Sequence, residues 1–150
     1  MSTTKTVGQV LKVKGFGYHG VGPDATAYDA LEIMDEKNIG ALLVVENGKL
    51  LGVFSERDYA RKVILKGRSS KNTTVRDLMS GQPVVVEPGR TLQECMVLMT
   101  ERRVRHLPVL ENDVILGMLS IGDVVNAIIS EQGSTIEELE EYIAGTGYRA

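Results

Sequence analysis

Gly52-Val53-Phe54-Ser55-Glu56-Arg57-Asp58 returns 65 residues later as Gly117-Met118-Leu119-Ser120-Ile121-Gly122-Asp123. Each copy reads as a short apolar strand that stops at a serine, which then starts a helix with an aspartate in its first turn. A strand running straight into a helix leaves backbone N–H groups without partners at the positive end of the helix dipole, and such groups attract anions. The repeated corner is therefore a candidate phosphate or nucleotide site.

The duplication extends outward from this corner. At the same offset of 65, Pro23 matches Pro88, Thr26 matches Thr91, Met34 matches Met99, Val44 matches Val109 and Glu46-Asn47 matches Glu111-Asn112. No gap is needed from Pro23 to Ile64. The opening segments, Val7-Gly8-Gln9-Val10-Leu11 and Val75-Arg76-Asp77-Leu78-Met79, align at an offset of 68. A repeat of this kind fixes the architecture before any single residue does. It divides the chain into a first unit at 1–67, a second unit with its preceding linker at 68–132, and a terminal segment at 133–150. A unit of some 60 residues buries too little surface to stand comfortably alone, so the two units are expected to share an interface.

Composition narrows the function. The net charge is −3, with two Phe, five Tyr and no Trp, so the chain has neither the basic footprint nor the aromatic platforms of a nucleic-acid binder. Its longest apolar runs, such as Ala41-Leu42-Leu43-Val44-Val45, are far below a membrane span. The amino end lacks a secretory or mitochondrial presequence pattern, which reads as a cytoplasmic protein. Cys95 is the single cysteine and falls with Leu92, Met96 and Met99 on a helical stripe, as a buried and inert thiol does.

Local signals repeat as well. Thr6 caps a short helix through Val7, Val10 and Leu11, and a glycine-rich connection follows with a short strand near residues 18–21. Thr26 and Thr91 each carry an acid three residues on, ahead of Ala27-Ala30-Leu31-Met34 and Leu92-Cys95-Met96-Met99 at helical spacing. Asn47-Gly48 and Asn112-Asp113 each join two apolar runs, the signal of a tight hairpin. After each corner a helix is expected with Tyr59, Ala60, Val63 and Ile64, or Val124, Ala127 and Ile128, turned toward the core. The order in each unit is β-α-β-β-α, an α+β (mixed α/β) fold. Ser134 starts a last helix with Ile136, Leu139, Tyr142 and Ile143 on one side.

These residues carry a family resemblance. The doubled strand, helix, hairpin and helix, with Gly-x-x-Ser-x-x-Asp closing both copies and Arg105-His106-Leu107-Pro108-Val109 opening the second hairpin, resembles a tandem pair of cystathionine-β-synthase (CBS) domains, a Bateman module. The resemblance covers residues 6–130. It implies a pseudo-two-fold pair whose clefts bind an adenosine-containing ligand such as AMP, ADP, ATP, NAD(H) or S-adenosylmethionine. It further implies that Asp58 and Asp123 hold ribose hydroxyls, that Ser55 and Ser120 with their helix N-termini hold phosphate, and that Gly40, Ala41, Leu42, Arg105, His106, Leu107 and Pro108 flank adenine. Arg57, Arg102, Arg103, Arg105 and His106 would neutralise phosphate. Gly122 stands where Arg57 stands, so the two sites are expected to differ in phosphate affinity. On this reading the chain is no enzyme but a regulatory module, a homodimer that senses a nucleotide and modulates another protein. Loss of either aspartate is expected to cost affinity with little change in melting temperature.

Other readings stay open. Ser-x-x-Asp ahead of an apolar stripe is also an ordinary helix cap, and the arginine run suits a helix C-terminus, so the module can be a structural one with vestigial ligand sites. Gly15-Phe16-Gly17-Tyr18-His19-Gly20 matches the dinucleotide-binding glycine pattern, which would make the chain a small oxidoreductase. Its context is wrong, because Val21, Gly22 and Pro23 separate the last glycine from the next helix. No cysteine-histidine constellation, metal-ligand spacing or nucleophile elbow is present in the sequence.

Overall fold

A computed structural model describes residues 5–131, and its elements run through the chain in two passes. The first pass is α1 (Val7–Lys14), β1 (Gly20–Val21), α2 (Ala27–Lys37), β2 (Ala41–Glu46), β3 (Lys49–Ser55) and α3 (Glu56–Tyr59), which continues into a π-helical turn over Ala60–Ile64. The second is α4 (Val75–Leu78), α5 (Leu92–Arg102), β4 (His106–Glu111), β5 (Val114–Ser120) and α6 (Ile121–Glu131). The fold is the expected mixture of helices and small sheets. The terminal segment from Ser134, with its expected helix, lies outside the described residues.

The local signals act as their chemistry dictates. Thr91 Oγ1 accepts the Glu94 N–H at 3.1 Å while Glu94 Oε1 accepts the Thr91 N–H at 3.2 Å, a reciprocal cap. Thr6 and Gln9 do the same for α1. The hairpin turns take positive φ at both residues, 54° and 77° at Asn47 and Gly48 and 50° and 64° at Asn112 and Asp113, as a two-residue turn matched to strand twist requires. Both hairpins slip register at one place, between Val44 and Val45 and between Val109 and Leu110. β1 pairs in parallel with β2 through Val21 and Val44. In the second pass the corresponding strand is reduced to one parallel bridge, Val86 to Val109.

The two halves exchange their opening helices. Val7, Val10 and Leu11 of α1 are buried with Leu92, Cys95, Leu107, Leu119 and Val124 in the core of the second half. Val75 and Leu78 of α4 are buried with Ala27, Leu42, Phe54 and Val63 in the core of the first. Backbone bonds fasten the exchange symmetrically: Leu92 N–H donates to Lys5 O at 2.9 Å and Ala27 N–H to Thr73 O at 2.8 Å. The segments that follow α1 and α4 cross β5 and β3 closely, at a glycine in each strand. A Cβ on Gly52 would collide with the Ser80 carbonyl, and one on Gly117 would lie 3.2 Å from the Gly17 carbonyl and 3.2 Å from Leu11 Cδ2.

One expectation is corrected here. Of the four apolar residues after the first corner, Val63 is buried and Tyr59 packs against the core, but Ala60 is exposed and Ile64 is 59% exposed. The π-turn, closed by Leu65 N–H to Ala60 O at 3.0 Å, puts more than 3.6 residues into a turn and swings Ile64 outward. The glycine pattern at Gly15–Gly20 follows a helix and precedes a strand, the reverse of the strand-loop-helix order that dinucleotide binding needs. This agrees with the wrong context already read from Val21, Gly22 and Pro23.

Candidate functional site

Both corners form, and each is a reciprocal cap. Ser55 Oγ accepts the Asp58 N–H at 3.1 Å, while Asp58 Oδ2 accepts the Ser55 N–H at 2.9 Å and the Ser55 hydroxyl at 3.0 Å. At the second corner Ser120 Oγ accepts the Asp123 N–H at 3.1 Å and Asp123 Oδ2 accepts the Ser120 N–H at 2.8 Å. Each corner is also tied to the loop that opens its own hairpin, by Glu56 N–H to Gly40 O at 3.0 Å and by Ile121 N–H to Arg105 O at 2.9 Å. The carboxylates therefore have a structural duty beside any duty toward a ligand. A substitution to alanine keeps the serine Oγ cap but takes the acceptor from the serine N–H, so the melting temperature is not indifferent to it.

A lysine sits on each carboxylate, and sequence reasoning named neither. Lys62 Nζ lies 3.4 Å from Asp58 Oδ1 and donates to Leu78 O at 2.8 Å. Lys14 Nζ lies 2.7 Å from Asp123 Oδ2 and donates to Met118 O at 2.6 Å. Lys62 follows Asp58 by four residues on one helix face, a pairing that spacing alone gives. Lys14 arrives from α1 and belongs to the corner only because the opening helices are exchanged. Burial raises the Asp123 pKa, but the Lys14 hydrogen bond and the Ser120 N–H together outweigh this and hold it below the usual carboxylate value. The side chains of Asp58 and Asp123 stay 17% and 22% exposed, so neither is sealed.

Between the corners the two hairpin openings meet. A Cβ on Gly40 would lie 3.2 Å from Glu56 Oε1 and 3.8 Å from the His106 ring. Gly40, Glu56 and His106 thus come together from both halves. Burial, then the nearby Lys14 ammonium, lowers the His106 pKa, with Arg105 adding to this and Asp123 opposing it. Ala41, Leu42, Leu107 and Pro108 are buried, main chain included. Arg57, Arg102, Arg103 and Arg105 are exposed, and no ion pair to another described residue holds them. Arg103 caps α5 in the left-handed region (φ 55°), where Asn38 caps α2 (φ 54°), a conformation asparagine tolerates better than arginine.

Two shallow clefts of about 420 and 400 Å³ open on the first half. The larger reaches Gly40 and Glu56 from the α2 side, and the smaller runs beside Tyr18 and Val45. Neither is lined by Asp58 or Asp123.

CBS-domain matches cover residues 18–64 and 75–130. The chain belongs to the CBS-domain family. This CBS pair is 42% identical over 152 residues to the CBS domain-containing protein CBSX3, mitochondrial, of Arabidopsis thaliana, a match over 95% of this chain and 73% of that protein. A solved protein with CBS domains from Burkholderia ambifaria MC40-6 is 48% identical, with a TM-score of 0.82 over 87% of this chain and 98% of that one. CBSX2, solved in complex with AMP, is 31% identical with a TM-score of 0.69, over 85% of this chain and 98% of that one. Among the described residues no helix is long and apolar enough to cross a membrane.

Proposed function

We propose that this CBS pair is a regulatory module that binds an adenosine-containing ligand at one or both Ser-x-x-Asp corners and passes its occupancy to another protein. The observation that carries the reading is the doubled corner, a capped helix start with a partly open carboxylate, in a chain similar to a CBS protein captured with AMP. A carboxylate with a free lone pair suits a ribose diol, and the adjoining helix start suits a phosphate. AMP, ADP, ATP, NAD(H) and S-adenosylmethionine share these features. The exposed guanidinium groups of Arg57, Arg102, Arg103 and Arg105 supply positive potential for the anionic members. Chemical catalysis is not part of this role. Ligand shifts the module between states only by its differential affinity for them. We place the module in the cytoplasm as a homodimer with a separate protein target, and light scattering at micromolar concentration tests the dimer.

Calorimetry with AMP, ATP, NADH and S-adenosylmethionine tests the ligand reading. Asp58→Asn and Asp123→Asn keep an oxygen for the cap and remove the charge that holds the diol. Together they are expected to weaken binding by roughly tenfold or more, the worth of hydrogen bonds to a charged group. Unchanged affinity in the double variant overturns the assignment. A second reading has its own support, since Lys14 and Lys62 already satisfy the two carboxylates. A structural module with vestigial sites would bind none of the four compounds.

A further inference from the structure

Lys14 changes what the second corner can select. Gly122 leaves that corner without the cation that Arg57 gives the first, yet the exchanged helix α1 delivers an ammonium 2.7 Å from Asp123 Oδ2. The same ammonium donates to Met118 O at 2.6 Å, so it is lodged at the mouth of the corner. Its charge is felt at His106, whose pKa it helps to lower. An uncharged nucleoside that offers its diol to Asp123 competes with the ammonium for a carboxylate whose Oδ2 already takes Lys14 and the Ser120 N–H, and it brings the ammonium no new anion. A nucleotide that makes the same exchange brings a phosphate for the ammonium to join.

We infer that Lys14 is the specificity-determining residue of the second corner: it opposes entry of uncharged adenosine-type ligands and admits phosphorylated ones by transferring from Asp123 to their phosphate. The inference rests on the nucleotide reading above and deepens it. It also ties ligand entry at the second half to the end of α1, whose body is seated in that half's core through Val7, Val10 and Leu11.

The test compares AMP and adenosine affinities, by calorimetry, in the parent chain, Lys14→Met and Lys14→Arg, with and without Asp123→Asn. Lys14 is a half-exposed side chain, so these chains are expected to fold, and a melting curve checks each. In the parent, AMP is preferred. Lys14→Met is expected to lower the AMP-to-adenosine affinity ratio by roughly fivefold, the upper range for a partly exposed charge pair. Lys14→Arg keeps the preference, and in the Asp123→Asn background the gain in adenosine affinity that Lys14→Met brings shrinks, because no ion pair is left to break. A parent that binds AMP while Lys14→Met leaves the ratio unchanged overturns this inference alone. Equal strengthening of both ligands in Lys14→Met also overturns it, since Lys14 would then be a mere plug. A parent that binds neither compound overturns the nucleotide reading and this inference with it.

Discussion

Leu11→Ala probes the exchange of opening helices. Leu11 is fully buried in the core of the half to which it does not belong in sequence. Its neighbours include Leu107 and Leu119, and its Cδ2 lies where a Gly117 Cβ would need space. Removing a buried leucine side chain costs its transfer free energy plus a cavity term, 2–5 kcal/mol in all, or about 3 kcal/mol here. For a chain of this size that lowers the melting temperature by about 6–12 °C. Val13, two residues away on the same helix, is 89% exposed, so Val13→Ala is expected to stay within about 0.5 kcal/mol. Because each half is completed by a helix from the other, unfolding is expected to remain one transition in Leu11→Ala, read by urea titration with far-ultraviolet circular dichroism and tyrosine fluorescence in parallel. Loss of less than about 1 kcal/mol, or two separated transitions in which only one half melts early, would refute the interlocked core.

The crossings over β3 and β5 predict unequal costs at equivalent glycines. Gly52→Ala drives a methyl into the Ser80 carbonyl and is expected to destabilise by about 1–3 kcal/mol, whereas Gly117→Ala meets its neighbours at 3.2 Å and costs less; equal urea midpoints would contradict this. Stability is also expected to fall in acid. The His106 pKa is depressed in the folded chain, so the unfolded chain binds the proton more readily and stability drops as pH falls from the usual histidine value of 6.5 through the lower folded value. Asp123 and Glu94, also depressed, extend the loss below about pH 4. Urea midpoints for His106→Gln should lack the first limb and keep the second, and a parental profile in that variant would remove His106 as its origin.

The sequence made local chemistry legible because that chemistry is local. Thr91 and Glu94, Asn112 and Asp113, and the spacing of Ser55 from Asp58 declare caps and turns within four residues. The repeat at an offset of 65 then assembled them into a fold. What escaped depends on distant packing. Nothing near Lys14 announces that it will meet Asp123, because the meeting requires α1 to cross into the other half. The π-turn at Ala60–Ile64 was equally hidden, since its equivalent stretch runs as ordinary helix from Ile121, and Ile64 reads as a core residue by composition alone. The role of Glu56 beside Gly40 and His106 likewise arises only where two hairpin openings converge. The Ser-x-x-Asp spacing announces a cap and a candidate ligand site at once, and the reciprocal bonds at Asp58 and Asp123 alter which substitution can test the latter.

The traded helices α1 and α4 give the duplicated ancestry of the chain a mechanical meaning. Whichever half came first, a solitary copy could complete itself only by borrowing the same helix from a twin, as in a swapped dimer of single repeats. Within one chain the exchange is intramolecular, and the linker at residues 67–72 joins the two partners. Nicking the backbone there should leave two pieces that still cling together, each gripping the other's missing part.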